Sequence, residues 1–312
     1  MRIVHSIAEL SELRGPVMLA IGVFDGVHLG HKAVIARALL DARKQKGTAV
    51  AVTFDQHPAR VLRPEIAPRL LTATKHKLDL LAGLGVEYAL VIPFTSELAA
   101  TLPEDFVHQL FNSCKPLREI CVGHDWSFGR DRAGDLALLK RMGDEMGFDE
   151  IGVPAVRVDG EIVSSTQIRA AVEAGEFEKA ARLLGRPYSI LGTVVRGDGL
   201  GRQLGYPTAN LSAHNEQFPP NGVYAVEALL GARAHGGMVN VGVRPTISTA
   251  SGERVLELHL FDFEGDLYGK DVEVFFHRFL REEQKFGTLE ELLGQITSDA
   301  EQARCLLTVR GC

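Results

Sequence analysis

Four short apolar runs of strand type alternate with stretches of helical periodicity over the first half of the chain. The runs are VMLAIGVF at 17–24, TAVAVTF at 48–54, EYALVIPF at 87–94 and REICVG at 118–123. Strands that alternate with helices are typical of a parallel sheet with helices on its faces. We therefore expect an α/β domain that extends to about residue 158.

The stretch from His31, HKAVIARALLDARKQKG, has the periodicity of an amphipathic helix. One helical face carries Val34, Ile35, Ala38, Leu39 and Ala42. The basic residues near its end are typical of a helix C-terminus, and Gly47 is the expected cap. Because ligands of such sheets bind beyond the carboxyl ends of the strands, we expect a binding site at the turn between Phe24 and His31.

The pattern changes at residues 185–187, after two further helical stretches at 164–175 and 176–185. The strand-like runs that follow are YSILGTVV, GVYAVEALL, HGGMVNVGV, RVLELHLFDF and DVEVFFHRFL. Gly, Pro, Asn and Asp divide them, so we expect an antiparallel β-barrel or sandwich. A last helix should pack on it through an apolar stripe. The stripe consists of Leu289, Leu292, Leu293 and Ile296.

Length and composition fit two ordinary globular domains. The 312 residues correspond to two domains of roughly 150 residues each, and we place the boundary after residue 185. Hydrophobic residues make up 46% and charged residues 24% of the chain. No apolar run approaches the roughly 18 residues of a membrane helix, so we expect no membrane association. The net charge of −6 argues against a nucleic-acid partner, which would require clustered Lys and Arg.

The cysteines give no sign of an oxidising compartment. Cys114, Cys121, Cys305 and Cys312 form no CxxC pair, so we expect neither a disulfide framework nor a structural zinc site. The N-terminal segment has no apolar core followed by a cleavage site. A reducing cytoplasm is therefore the expected location, and the sequence leaves the oligomeric state open.

The string GVFDGVHLGH at 22–31 joins the first strand to the first helix. Gly26 and Gly30 allow a tight turn and close approach of a ligand, and the helix N-terminus offers N–H groups to a phosphate. His28 and His31 can donate hydrogen bonds to one phosphoryl group, which suits charge stabilisation during in-line attack. The alternative is structural, with one histidine capping the turn and the other packing beneath the loop.

A second string, SSTQIR at 164–169, places hydroxyls and a guanidinium at the start of another helix. This arrangement binds anions well, although alone it is also an ordinary helix N-cap. Together the two strings resemble the nucleotidyltransferase superfamily, in which an HxGH loop and an SSTxIR-like motif clamp the triphosphate of ATP or CTP.

The resemblance is closer to one family. The blocks GVFDGVHLGH, TFDQHP, LLT, VGHDWSFGRDRAGD and VSSTQIRAAVEAGEFEKAARLLGRPY resemble, in order, the adenylyltransferase domain of bacterial bifunctional riboflavin kinase/FAD synthetases. This implies a Rossmann-like HxGH domain over residues 1–185. The ATP-binding residues it implies are Gly22, Phe24, Asp25, His28, His31, Thr166 and Arg169, with Asp125 and Ser165 in the same cleft.

Two blocks depart from the usual family pattern. TFDQHP stands where TFEPHP is more usual, and Trp126 stands where the family often has Phe. Both changes keep polarity or aromatic bulk. We therefore expect altered packing or affinity rather than lost activity.

The second half resembles the riboflavin kinase domain of the same family. The blocks are GRQLGYPTANL, NGVYAV, NVGVRPT, LELHLFDFEGDLYG and FLREEQKFGTLEELLGQITSDAEQAR. They imply a six-stranded Greek-key barrel with a C-terminal helix over residues 186–312. They also imply a nucleotide site at Gly201, Thr208 and Asn210, where Thr208 helps to hold Mg²⁺ with the nucleotide phosphates.

The same resemblance implies that Glu257 is the general base for the 5′-hydroxyl of the ribityl chain, and that Arg281 and Phe286 contact the flavin. Strand alternation is compatible with this role, because it puts Glu257 and His259 on the face opposite Leu256, Leu258 and Leu260. Without the resemblance, a solvated glutamate and a structural glycine loop would be the ordinary interpretations.

The implied function is two ATP-dependent steps that need Mg²⁺: riboflavin is phosphorylated to FMN, and FMN is adenylylated to FAD with release of pyrophosphate. One alternative is that only one activity is retained, and another is a flavin or nucleotide sensor, which would not need Glu257 as a base. An aminoacyl-tRNA synthetase is disfavoured, because the chain has no KMSKS-like loop and no basic surface for tRNA.

Overall fold

A computed structural model of the chain describes residues 1–196, 201, 205–231, 233–244 and 253–308. The chain divides into two compact units: Met1–Leu70 with Thr74–Ser165, and Leu71–Ala73 with Thr166–Cys312. By this division the two helices that precede residue 185 belong mostly to the second unit. The assignment of separate activities to residues 1–185 and 186–312 stays a prediction.

The first unit contains a parallel sheet of six strands. The strands are β1 (Arg2–Val4), β2 (Val17–Ile21), β3 (Thr48–Phe54), β4 (Tyr88–Ile92), β5 (Leu117–Gly123) and β6 (Asp149–Val153). Their order across the sheet is β1-β4-β3-β2-β5-β6, and every neighbouring pair is parallel. The predicted α/β class is confirmed. The pattern gave β2 to β5 and missed the two strands at the edges.

Helices and short turns connect these strands. The α-helices are α1 (Leu29–Gln45), α2 (Ala59–Leu62), α3 (Thr74–Gly83), α4 (Ser96–Ala99), α5 (Pro103–Ser113) and α6 (Leu136–Met146). Three 3₁₀ turns lie at Ile7–Glu12, Pro64–Ile66 and Arg130–Arg132. A two-stranded ribbon of β7 (Arg157–Val158) and β8 (Glu161–Ile162) follows β6.

The central strands are largely apolar because both faces of the sheet are covered. Leu19, Val50, Val52, Leu90 and Ile120 belong to the core on one face. Met18, Ala20, Ala51, Ala89 and Cys121 belong to the core on the other. Alternate residues of one strand therefore enter different cores, and the strand ends carry the residues left for chemistry.

Helix α1 buries the face that its periodicity predicts, with Val34, Ile35, Ala38 and Ala42 buried and Leu39 packed beside them. The predicted cap is wrong. Lys46 takes the left-handed conformation at the C-cap, with φ at 53°. Gly47 is instead required by space, since a Cβ there would lie 2.3 Å from the carbonyl oxygen of Pro16.

The second unit contains two helices and a closed antiparallel barrel. The helices are α7 (Ser165–Glu173) and α8 (Phe177–Leu184). The strands are β9 (Ser189–Val195), β10 (Ala209–Ala213), β11 (Gly222–Leu230), β12 (Arg233–Arg244), β13 (Glu253–Leu260) and β14 (Asp271–Arg281). They close in the order β10-β13-β12-β11-β14-β9, with β9 paired to β10. The six-stranded barrel implied by the family resemblance is confirmed.

The last helix, α9 (Leu289–Thr308), packs on the barrel through a stripe that keeps Ile296 of the predicted one and continues toward the C-terminus. Ile296, Ala300, Ala303 and Leu307 contact a core that includes Val223, Met238 and Phe261. Leu289 is 56% exposed, so its place in the predicted stripe is wrong. Small residues bring the helix closer to the barrel than leucines would. Among the described residues, no helix is long and apolar enough to cross a membrane.

Candidate active sites

The loop from β2 to α1 has a strained backbone. Phe24, Gly26 and Val27 all have positive φ, at 53°, 82° and 41°. Such values are uncommon for residues other than glycine, and in a β-branched residue such as valine they are true outliers. Phe24 and Val27 are almost fully buried, and a Cβ at Gly22 would lie 2.7 Å from the ring of Phe24. Packing against the aromatic ring therefore holds the loop in this shape.

His28 is the N-cap of α1. Its Nδ1 accepts a hydrogen bond from the backbone N–H of His31 at 3.3 Å. An Nδ1 that accepts a hydrogen bond has no proton, so in this tautomer the proton lies on Nε2. His28 therefore caps the helix through Nδ1, as the structural alternative expects. Its Nε2–H group is a donor suited to a phosphate.

His31 lies beside it. Its Nδ1 is buried and has no hydrogen-bond partner within the described part of the chain. Burial, together with the neighbouring His28 and Lys77, lowers the pKa of His31 well below its usual value. The ring is neutral at physiological pH, and its buried nitrogen is suited to a ligand that supplies the missing hydrogen bond.

The other residues predicted to bind ATP lie on several elements. Ser165, which belongs to the first unit, donates a hydrogen bond from Oγ to the backbone carbonyl of Asp25 at 3.0 Å. Asp125 is exposed just beyond the end of β5, the parallel neighbour of β2. Thr166 and Arg169 lie on α7 in the second unit. Their contact with ATP stays a prediction.

The two departures from the family pattern have local partners. Asp55 accepts a hydrogen bond from the backbone N–H of Phe94 at 2.9 Å, and Gln56 donates one to the carbonyl of the same residue at 2.9 Å. Trp126 stacks on Phe128, with ring centroids 4.4 Å apart. Asp55 and Gln56 therefore join the segments that follow β3 and β4, and Trp126 packs within the segment that follows β5.

The barrel has a cavity of about 350 Å³. Six of its lining residues are those implied for the kinase site: Gly201, Thr208, Asn210, Glu257, Arg281 and Phe286. They come from β10, β13, the end of β14 and the segments beside them, so only the closed barrel brings them together. Their placement in one cavity is a finding, and their roles stay predictions.

Glu257 lies on β13, which pairs with β10 on one side and with β12 on the other. Asn210 of β10 pairs with it on one side, and Asn240 of β12 pairs with it on the other. Its neighbours Leu256 and Leu258 are almost fully buried, as the alternation predicts. The carboxylate therefore enters the cavity between two amide side chains.

The loop before β10 is held against β13. A Cβ at Gly201 would lie 2.4 Å from the carbonyl of Tyr206 and 2.9 Å from Thr208 Oγ1, so only glycine fits. His259 Nδ1 lies 2.9 Å from the carbonyl of Pro207. These contacts fix the backbone that presents the Thr208 hydroxyl to the cavity.

Arg281 is oriented by a carboxylate that the sequence analysis missed. Its Nε lies 2.9 Å from Asp299 Oδ2, and one of its terminal nitrogens lies 2.8 Å from the same oxygen. Asp299, on α9, is 3% exposed. The guanidinium carbon also lies 5.7 Å from the centroid of the Phe286 ring. Both residues lie in the family block at 279–304, but they are 18 positions apart, and spacing alone does not show that they pair.

Comparison with known proteins gives two family matches. A family model described as FAD synthetase matches residues 11–167, and one described as riboflavin kinase matches residues 184–307. The bifunctional riboflavin kinase/FMN adenylyltransferase of Pseudomonas fluorescens is 39% identical over 306 residues, which cover 98% of each chain. The protein of the same description from Escherichia coli (strain K12) is 38% identical, with 97% of each chain covered.

A solved structure has the same fold. It is that of a protein from Streptococcus pneumoniae described as a macrolide-efflux protein, with a TM-score of 0.83 and 29% identity. The match covers 97% of this chain and 99% of that one. The likeness therefore extends over both units.

Proposed function

Because the chain belongs to the family of bifunctional riboflavin kinase/FMN adenylyltransferases, we propose that it makes FAD from riboflavin in two steps. Residues 186–312 phosphorylate riboflavin to FMN with ATP. Residues 1–185 then transfer the adenylyl group of a second ATP to FMN and release pyrophosphate. We place both steps in the cytoplasm, where ATP is supplied and the free Cys114, Cys121 and Cys305 stay reduced.

In the kinase step, the ribityl 5′-hydroxyl oxygen attacks the γ-phosphorus of ATP, and ADP leaves. Glu257 accepts the proton of this hydroxyl during the attack. The position of this carboxylate in the cavity supports the assignment. Arg281 and Phe286 lie at the same cavity and hold the isoalloxazine ring, by polar contact and by packing against its face. This step consists mainly of positioning and charge stabilisation.

The donor set fits a magnesium ion. Mg²⁺ prefers oxygen ligands and binds through one or two side chains together with substrate phosphates. The Thr208 hydroxyl, the Asn210 amide and the Glu257 carboxylate supply such oxygens in one cavity. We assign the ion to Thr208 and Asn210, where it would neutralise charge on the nucleotide phosphates.

In the adenylylation step, a phosphate oxygen of FMN attacks the α-phosphorus of ATP, and pyrophosphate leaves in line. His28 and His31 donate hydrogen bonds to the phosphoryl oxygens, and the first N–H groups of α1 add positive potential. Thr166 and Arg169 hold the phosphates that depart. Neither step needs a covalent enzyme intermediate.

The observation that carries this function is the meeting of six family-implied residues in one barrel cavity, on a chain that also has the strained histidine loop. The test is to incubate the purified protein with riboflavin, ATP and Mg²⁺ and to separate the flavins by chromatography over time. FMN that rises and then gives way to FAD supports both steps. FMN that accumulates without FAD means that only the kinase works, and no product favours a sensor.

A further inference from the structure

A buried lysine lies beneath the histidine loop. Lys77, on α3, is 5% exposed. Its Nζ lies 2.8 Å from the carbonyl oxygen of Phe54, 3.0 Å from Thr53 Oγ1 and 3.2 Å from the carbonyl oxygen of Val23. Three acceptors from the ends of two neighbouring strands therefore meet one ammonium group, which has three donors.

The Val23 carbonyl is the important acceptor. It belongs to the peptide bond that enters Phe24, the first of the residues with positive φ. Thr53 Oγ1 donates a second hydrogen bond to it at 2.9 Å. The peptide that starts the strained loop is thus fixed by two donors, both from outside the loop.

Packing alone does not require a charge at this position. An ammonium group in the interior has a desolvation cost that an apolar side chain of similar length avoids. Burial lowers the pKa of Lys77 to about 8, while Asp25 and Asp55 oppose this change. The charge therefore remains at pH 7, in the neighbourhood of His31, whose pKa it helps to lower.

We propose that Lys77 is a positioning residue for FMN adenylylation, whose ammonium group ties the ends of β2 and β3 together beneath the loop that carries His28 and His31. This inference rests on the proposed function of the first unit. Strained backbone persists only where the surroundings over-determine it. A displacement of about 1 Å costs about 100-fold in rate. Loss of this anchor should therefore impair the use of ATP in adenylylation and leave the kinase reaction unchanged.

The test compares Lys77→Met with wild type in the full-length protein, in two separate assays. One assay follows FAD from FMN and ATP, and the other follows FMN from riboflavin and ATP. We expect kcat/KM for ATP in adenylylation to fall at least about tenfold, with a higher KM for ATP and an unchanged KM for FMN. Riboflavin phosphorylation should stay within about twofold, because the barrel has its own ATP site.

Lys44→Met is the matched control. Lys44 lies on α1 in the same unit, is well exposed and pairs with Asp41, so this change should leave both activities unaltered. Thr53→Val is the second variant, which keeps the volume and removes the hydroxyl that joins Lys77 to the Val23 carbonyl. It should raise the KM for ATP in the same assay by about threefold.

The outcomes separate this inference from the proposed function. A wild-type protein that makes no FAD from FMN overturns the function itself. If wild type makes FAD and Lys77→Met retains kcat/KM for ATP within twofold, the positioning role is wrong. A parallel loss of both activities also overturns it, because that indicates a smaller folded fraction. Should Lys77→Met fail to fold, Thr53→Val decides by the same criteria.

Discussion

The rings of His28 and His31 stack with their centroids 3.5 Å apart and their planes 18° apart. Two positive charges at this distance would repel strongly in a partly buried site. Burial is the main cause that lowers the pKa of His31 well below its usual value, so His31 is neutral beside its stacked neighbour.

Replacement of His31 by Asn should lower kcat for FMN adenylylation by about 10²- to 10³-fold, as the loss of one preorganised donor does elsewhere. Riboflavin phosphorylation should not change. Since the pKa of His31 is well below its usual value, the wild-type rate should show no step due to this ring between pH 6.5 and 8. The check is a pH profile of wild type and of His31→Asn, measured as the ratio of adenylylation to riboflavin phosphorylation. A step near pH 6.5 that vanishes in His31→Asn would contradict it.

Glu257→Gln should abolish FMN formation and spare FMN adenylylation. The amide keeps the shape and the place between Asn210 and Asn240 but cannot accept the hydroxyl proton. The measurement is product formation from riboflavin and, separately, from FMN. If both activities disappear together, the assignment of the two reactions to two sites is wrong.

Asp299→Asn should weaken both the kinase and the stability of the barrel unit. Removal of one charge from a buried ion pair leaves Arg281 uncompensated, which costs about 3 kcal/mol in the free energy of unfolding. The KM for riboflavin should rise because the guanidinium is no longer oriented. Denaturant unfolding and kinase kinetics measure the two effects.

The matched control is Asp262→Asn. Asp262 also pairs with an arginine of α9, Arg304, but its side chain is 77% exposed. Exposed pairs contribute about 0 to 1 kcal/mol, so stability and KM should hardly change. Equal effects of the two substitutions would show that Asp299 has no special role.

Trp126→Phe and Gln56→Pro restore the residues more usual in the family, and we expect each to leave adenylylation within about threefold. Trp126 already stacks on Phe128, and Phe keeps an aromatic contact there. The loss of the Gln56 hydrogen bond to Phe94 removes one neutral contact. A large gain in FAD formation would instead mean that these departures slow the first unit, leaving a kinase as the main activity.

The sequence predicted the parts of the fold in which the pattern is long and regular. Strands β2 to β5 each contain a run of apolar residues, whereas β1 has three residues and β10 reads ANLSA, with little apolar signal. Leu289 entered the predicted stripe because periodicity cannot show where contact with the barrel begins. Family motifs supplied the site residues, but Lys77 lies outside these motifs, and Asp299 lies in the last of them without an implied role. Their importance arises from contacts across 18 and 54 residues of chain.

Alkaline pH should affect the first unit in two opposite ways. The amine of Lys77 has a pKa of about 8 in the folded chain and an ordinary value of 10.5, with Asp25 and Asp55 as the facing carboxylates and His31 as the facing ring. Between these values the folded state releases a proton that the unfolded state keeps. Stability therefore rises with pH across this window, by at most about 3 kcal/mol.

Adenylylation should fall over the same window. A neutral amine has two N–H groups for three acceptors, so one anchor of the loop is lost. The ratio of adenylylation to phosphorylation should decline above pH 8 in wild type and stay flat in Lys77→Met, whose side chain does not titrate. Unfolding measured at pH 7 and pH 9.5 should show a gain for wild type relative to Lys77→Met. General alkaline denaturation would lower activity and stability together. A fall in adenylylation with a rise in stability in the same protein therefore identifies Lys77 as the titrating group.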